Sequence, residues 1–142
     1  MKLSFKMVVE YVKDLFPVNF VPLSDDPQAD AEALASLLYT NVFYTRANNG
    51  KTYLYCFPRR KEDYELVRYI LNSNNMKPRE HESGYYYGAR TVLRVPRKEI
   101  EGDRRAMQFS NLLMDKRTSN VDEKIANARI NILYEKMLRY SK

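Results

Sequence analysis

The dipeptide Asn49-Gly50, placed between two runs rich in aromatic and β-branched residues, is the feature that most constrains the fold. Asn and Gly tolerate the two positive φ angles of a type I′ turn, and the twist of that turn matches the twist of the strands it joins. The pattern therefore predicts a β-hairpin of strands 41–47 and 51–57 with a two-residue loop.

A two-residue loop also fixes which residues of the hairpin face each other. It sets Tyr44 opposite Tyr55 and Arg46 opposite Tyr53, and since side chains alternate along a strand, all four share one face. That face is expected to be aromatic and basic. The other face is expected to be small and apolar, with Phe43, Thr45, Leu54 and Cys56.

The residues after the hairpin predict one helix and a second strand pair. An apolar stripe at helical spacing marks a helix over about 61–74. Strands over 77–83 and 89–95 follow, and they differ in character. The run 89–95 is β-branched and apolar on one face, which is typical of a central strand, whereas 77–83 is polar and contains Pro78, which is typical of an edge.

This difference favours one topology over a simple meander, in which 89–95 would lie at an edge. We predict an α+β fold with a four-stranded antiparallel sheet and a ββαββ core. The strand order is 41–47, 51–57, 89–95, 77–83, which is a ferredoxin-like sheet whose usual final strand has moved to the front.

Helical patterns flank this core on both sides. Two N-terminal helices are predicted over 5–16 and 27–39, the second capped by Asp26. A first C-terminal helix is predicted within 96–116 and is clearest from Asp103 onward, because Gly102 weakens its start. A second is predicted over 121–140, with Asn120 and Glu123 as its capping box. No polar linker separates these segments, so residues 1–142 are expected to form one domain: a helical pair (1–40), the ββαββ core (41–96) and the C-terminal helices (97–142).

The charge distribution favours an acidic partner. The net charge is +6, but residues 1–57 hold five Lys/Arg against six Asp/Glu, whereas residues 58–142 hold nineteen against twelve. Nucleic acid is the commonest partner of such a basic half, although solubility alone also explains a modest charge.

Catalytic motifs are scarce in the sequence. It has one histidine, His81, and one cysteine, Cys56, on different strands, and its four glycines form no phosphate-binding loop. We therefore expect a non-catalytic protein without cofactor or metal. A metal-dependent nuclease built from scattered carboxylates stays an open alternative, because such sites have no fixed local motif.

The single cysteine and the lack of a signal-like or membrane-spanning stretch favour a reducing, cytoplasmic location with no membrane partner. With 44% hydrophobic and 30% charged residues, the chain has the composition of a globular protein.

The predicted nucleic-acid-binding surface combines sheet tyrosines, a tyrosine-rich loop and a basic patch. Bases stack on aromatic rings while guanidinium groups meet phosphates. The competing interpretation is that a terminal helix covers the sheet, so that Tyr44 and its neighbours are core residues. The predicted binding residues are Arg46, Tyr53, Tyr55, Arg59, Arg60, Tyr85, Tyr86, Tyr87, Arg90, Arg94, Arg97, Lys98, Arg104 and Arg105.

The last predicted helix supports a second hypothesis, a protein-interaction module such as an accessory protein or inhibitor. It is apolar on two faces, which is typical of a helix shared with another subunit. We predict a homodimer in which the face with Val121, Ile125 and Ile132 packs on its own domain. The symmetric interface would then be formed by Ala126, Leu133, Met137 and Tyr140.

Overall fold

The computed structural model describes residues 21–83, 90–117 and 120–141, with Ser83, Arg90, Tyr140 and Ser141 described in their backbone alone. The predicted helix over 5–16 and the predicted binding loop with Tyr85, Tyr86 and Tyr87 lie outside the described residues.

The described chain is an α+β arrangement of four strands and five α-helices. In chain order, the elements are α1 (Pro27–Leu38), β1 (Val42–Arg46), β2 (Thr52–Cys56), α2 (Tyr64–Asn72, preceded by a 3-10 turn at Lys61–Asp63), β3 (Arg79–Ser83), β4 (Arg90–Pro96), α3 (Arg97–Glu101), α4 (Arg104–Lys116) and α5 (Glu123–Ser141). None of these described helices is both long and apolar enough to cross a lipid bilayer.

The four strands form one antiparallel sheet in the order β1-β2-β4-β3. Helix α2 crosses between β2 and β3, and β4 then returns to pair with both of them. The apolar strand β4 is therefore central and the polar strand β3 lies at an edge, as their composition predicted. Leu93 and Val95 of β4 are buried at 0% and 1% exposure.

The predicted turn of the first hairpin is wrong by one residue. The backbone of Ala47 donates to the carbonyl of Lys51 at 2.8 Å, and the amide of Gly50 donates to the carbonyl of Ala47 at 3.0 Å. The loop therefore has three residues, and Gly50 alone within it has a positive φ, of 83°. Such a loop needs only one glycine-like position, whereas the predicted type I′ turn needs two.

This shift reverses the faces of β1. Tyr44 is opposite Leu54 instead of Tyr55, and Phe43 is opposite Tyr55. Because side chains alternate, a slip of one residue moves every side chain of the strand to the other face. Tyr44 therefore lies on the helix-covered face, and Phe43 takes the place on the aromatic face that the sequence had given to Tyr44.

A continuous hydrophobic core joins α1, α2, α4 and α5 to one face of the sheet. Helix α1 begins as predicted, with the Asp26 carboxylate accepting a hydrogen bond from the Ala29 amide at 3.1 Å and Pro27 at its first position. From the sheet, the core takes Val42, Leu54, Cys56, Leu93 and Val95.

The C-terminal helices begin at aspartates. Asp103 caps α4 by accepting from the Ala106 amide at 2.9 Å, and Gly102 separates α4 from the short helix α3, so the single helix predicted within 96–116 is divided in two. Helix α5 begins at Glu123, and the Asp122 carboxylate accepts from the amides of the first turn. The predicted cap at Asn120 is therefore wrong by two residues.

The predicted dimer face of the last helix points into the chain itself. Ala126 and Leu133 are 0% and 2% exposed and Met137 packs against the core, whereas Ile125 and Ile132 are 46% and 45% exposed. The prediction is therefore reversed for Ile125 and Ile132, whereas Val121 packs against the core as predicted. The side chain of Tyr140 lies outside the described residues.

A buried ion pair explains why this face packs inward. Nε of Arg129 lies 2.7 Å from Oδ1 of Asp30, and both side chains are almost fully buried. The amide of Asn74 donates to the second Asp30 oxygen at 2.9 Å, and Nη2 of Arg129 contacts Asp25 at 2.7 Å. Arg129 lies between Ala126 and Leu133 on the helix, so its pairing with α1 fixes that face inside.

Candidate functional site

The sheet face opposite the main core carries a second cluster of aromatic side chains. Phe43, Tyr55 and Phe57 form a stack, with Phe43–Phe57 and Tyr55–Phe57 ring centroids at 5.5 and 6.1 Å. Tyr53 meets Tyr55 edge to face at 6.1 Å, and Val92 completes the cluster. The pattern follows from alternation along β1, β2 and β4, once the three-residue loop sets the register.

Arg94 contacts both tyrosines of this cluster. Its guanidinium carbon is 4.1 Å from the centroid of the Tyr53 ring, and its Nη1 donates to the Tyr55 hydroxyl at 3.3 Å. A cation over an aromatic face is attracted by the ring quadrupole, and the planar guanidinium keeps further N–H donors for a ligand. The side chain is therefore held in position by the sheet while part of it stays accessible.

A first concavity of about 480 Å³ opens beside these rings. Its apolar wall is formed by Phe43, Tyr55 and Phe57. Its polar lining includes His81, Arg46, Arg94 and the β1–β2 turn, where Nε of Arg46 donates to the Gly50 carbonyl at 3.2 Å. No carboxylate of the described residues lines it.

A second concavity of about 600 Å³ lies on the other side of Arg94, which lines both. It is bounded by Lys51 and Tyr53 of the hairpin and by the start of α3. Among the described residues that line the two concavities, only Glu99 and Glu101 are acidic, and six are cationic: Arg46, Lys51, Arg79, Arg94, Arg97 and Lys98.

Two of these cations are paired with the acidic residues of α3. Arg79 binds Glu99 at 2.6 Å, which raises the pKa of Arg79, and Arg97 binds Glu101 at 2.7 Å. Within the described part of the chain, no ion pair engages Arg46, Lys51, Arg94 or Lys98. The site therefore has a surplus of positive charge that a ligand can neutralise.

His81 is the titratable group at this site. Its ring meets that of Tyr55 edge to face at 6.3 Å. Burial, and after it the charge of Arg94, lowers the pKa of His81 below its usual value. The imidazole is therefore mainly neutral near pH 7, and the permanent positive charge of the first concavity comes from its arginines.

The structure brings only part of the predicted binding surface together. Tyr53, Tyr55, Arg94, Arg97 and Lys98 meet around the two concavities. Both tyrosines are buried, at 7% and 8% exposure, so they form the floor and not the open stacking platform that the sequence suggested. Arg46 reaches the first concavity from the end of β1, although its strand position faces away from the tyrosines.

The remaining predicted residues lie elsewhere. Arg59 and Arg60 follow the far end of β2, where Arg59 lies over the Tyr39 ring at 4.8 Å and Arg60 binds Asp63 at 3.0 Å. Arg105 is turned inward and donates to the Ser24 carbonyl.

Arg104 is exposed on α4 and lines neither concavity. The Arg90 side chain lies outside the described residues. The predicted basic residues that are described therefore do not form one continuous surface.

Three residues that line the concavities, Phe43, Lys51 and His81, were not among the binding residues predicted from the sequence. The signal for Phe43 was present in the triplet Asn48-Asn49-Gly50, which fits a three-residue loop as well as a two-residue one.

The described residues contain no group of three or more potential metal ligands. Burial raises the pKa of the Cys56 thiol to about 12, which leaves it a poor nucleophile near neutral pH. Comparison with models of known protein families, with curated proteins and with solved structures gives no match for this chain.

Proposed function

We propose that this chain is a non-catalytic module that binds single-stranded nucleic acid along the two concavities joined by Arg94. The observation that carries this proposal is the position of Arg94, fixed on Tyr53 and Tyr55 between an aromatic wall and a cationic groove. Phe43 is the partly exposed ring of the cluster, and a base that stacks on it must be free of a duplex, whereas the cations require a polyanion.

The surplus charge around Arg94 supports a polymer ligand over a neutral one. Four cations of the two concavities have no ion pair among the described residues: Arg94, which lines both, Arg46 in the first, and Lys51 and Lys98 in the second. A strand that places a base in the first concavity would carry its next phosphates past Arg94 to Lys51 and Lys98. Each phosphate contact releases counterions, so affinity should fall steeply with salt.

The test is a titration of labelled single-stranded DNA and RNA of about 12 nucleotides. Fluorescence anisotropy is measured at about 50 mM and about 200 mM salt, with the matching duplexes as competitors. We expect salt-sensitive binding of single strands that the duplexes displace poorly. No binding of single strands at low salt would overturn the proposal.

Two lysine variants locate the site. Lys98→Gln removes one positive charge in the second concavity and should reduce the slope of log K against log salt by about 0.7. Lys124→Gln makes the same change on α5, where the residue is exposed and lines neither concavity, and should leave that slope unchanged. Equal effects of the two variants would mean that the sheet site is not used.

The exposed face of α5 supports a second candidate function, association with a protein. Ile125 and Ile132, seven residues apart on one face of the helix, are 46% and 45% exposed, and apolar side chains of this size are common in protein interfaces. If two copies associate, this exposed face is the proposed interface, in place of the one predicted from the sequence. Binding through it would be nearly independent of salt, which separates it from nucleic-acid binding.

Two finer assignments belong with this proposal. The strand order supports a permuted ferredoxin-like sheet, with the strand that usually comes last placed first. The single buried cysteine supports work in a reducing compartment such as the cytoplasm.

A further inference from the structure

The first concavity has the size and the two-sided chemistry of a small-ligand subsite. Its volume of about 480 Å³ lies within the range of roughly 300–1,000 Å³ typical of ligand pockets. Its apolar lining consists of Phe43, which is partly exposed, and of Tyr55 and Phe57, which are each 8% exposed. Its polar lining includes the arginines Arg46 and Arg94.

These walls restrict the ligand to a planar ring attached to an anion. An aliphatic anion would leave the aromatic wall without a stacking partner, and a neutral aromatic would desolvate the two arginines without compensating their charge. Arg94 is already oriented by Tyr53 and Tyr55, so its remaining N–H donors can meet a phosphate with little loss of conformational freedom.

The hairpin turn offers polar groups where the edge of a stacked ring would lie. The Asn49 side chain already has partners within the protein: its amide donates to the Tyr53 hydroxyl at 2.8 Å and its carbonyl accepts from the Lys51 backbone amide at 2.9 Å. Asn48 and Thr45 also line the concavity and are exposed. Their amide and hydroxyl groups can hydrogen-bond the ring atoms of a heterocycle. The ring of a simple aromatic acid has no such donors or acceptors.

We propose that the first concavity is a mononucleotide subsite, which takes one base between the aromatic wall and the hairpin turn and its phosphate between Arg46 and Arg94. Its place within a longer strand rests on the proposed function. The subsite proposal makes a separate prediction: a free nucleoside monophosphate binds there without the rest of the polymer.

The experiment titrates AMP and UMP against the protein in two ways. Saturation-transfer NMR measures their direct binding, and anisotropy measures their displacement of a labelled single strand at constant ionic strength. Inorganic phosphate and the unphosphorylated nucleosides are the reference ligands. We expect saturable binding with a Kd below about 1 mM for at least one monophosphate, and weaker binding of both reference ligands.

Matched variants assign the site. Arg46→Gln changes an exposed residue of the hairpin end and Phe43→Ala removes a partly exposed ring, and each should raise the monophosphate Kd about fivefold or more. Lys98→Gln, in the second concavity alone, should weaken oligonucleotide binding and leave the monophosphate Kd within about twofold. Circular dichroism confirms that each variant is folded.

The outcomes separate the two proposals. If oligonucleotides bind but the monophosphates bind no better than inorganic phosphate, the subsite is overturned and the proposed function stands. The same holds if Arg46→Gln and Phe43→Ala leave the monophosphate Kd unchanged. Monophosphate binding without any oligonucleotide binding would overturn the proposed function and support the subsite as a site for free nucleotides.

Discussion

The hydroxyl oxygens of Tyr44 and Ser110 lie 2.5 Å apart and form a hydrogen bond between β1 and α4. Ser110 is 1% exposed, and burial raises the pKa of the Tyr44 hydroxyl despite this hydrogen bond. The contact holds the outer strand of the hairpin against the helical layer. It also identifies which face of β1 is internal.

The first prediction tests this contact. Tyr44→Phe keeps the ring and leaves the buried Ser110 hydroxyl without its partner, so unfolding free energy measured in urea should fall by about 1–3 kcal/mol. Adding Ser110→Ala should recover part of the loss, because both polar groups are then gone. A fully stable Tyr44→Phe protein would mean that Tyr44 faces away from α4, as the two-residue turn predicted.

The sequence could predict the hairpin but not its register, for a specific reason. Both alternating sets of β1, Val42 with Tyr44 and Phe43 with Thr45, combine one apolar residue with one that can be either buried or exposed. Hydrophobic alternation therefore does not choose between them, and Asn48 allows the longer loop. By contrast, the polar β3 and apolar β4 differ enough to predict their places in the sheet.

The second prediction concerns the buried ion pair of Arg129 and Asp30. Arg129→Met leaves the Asp30 carboxylate buried without its cation, and we expect a loss of about 3–5 kcal/mol in unfolding free energy. Arg139→Gln, an exposed arginine of the same helix, should change stability by less than about 0.5 kcal/mol. Similar effects of the two substitutions would show that Arg129 is solvated in solution.

This pair also explains why the packing face of α5 was assigned wrongly. Arg129 interrupts the stripe of Ala126 and Leu133 and gives it a polar appearance, whereas Ile125 and Ile132 are both strongly apolar. The missed signal lies in α1, where Asp30 precedes Ala31 and Leu34 on the apolar face. A carboxylate at such a position requires a cation from another element.

The third prediction is a pH dependence that comes from Asp25. Hydrogen bonds from Arg129, then from Lys136, lower the pKa of Asp25 from 3.8 to about 2. A carboxyl group whose pKa is lower in the folded state stabilises the fold above its unfolded pKa, and this contribution disappears as pH falls from about 4 towards 2. The side chain is 69% exposed, so solvent screening keeps the contribution below about 1 kcal/mol.

Asp25→Asn isolates this contribution. Urea unfolding from about pH 6 down to about pH 2 should show the variant less stable at the upper end, with the difference shrinking as the native Asp25 becomes protonated. Stability curves that stay parallel over this range would contradict the assigned pairing of Asp25 with Arg129 and Lys136.

The last prediction uses two neighbouring residues of α5 that differ in burial. Leu133 is 2% exposed and Ile132 is 45% exposed, so the same change to glutamate places a charge inside the core in one case and in solvent in the other. Leu133→Glu should cost more than about 4 kcal/mol and unfold the protein. Ile132→Glu should keep the thermal transition within a few degrees of the parent chain, by circular dichroism.

Light scattering of the parent chain and of Ile132→Glu adds the oligomeric state to this comparison. If a second copy binds the exposed face of α5, the parent chain should have the mass of a dimer and Ile132→Glu that of a folded monomer, because the new carboxylates repel across the interface. A folded, monomeric Leu133→Glu derived from a dimeric parent would instead restore the interface predicted from the sequence, with Ala126 and Met137 between subunits.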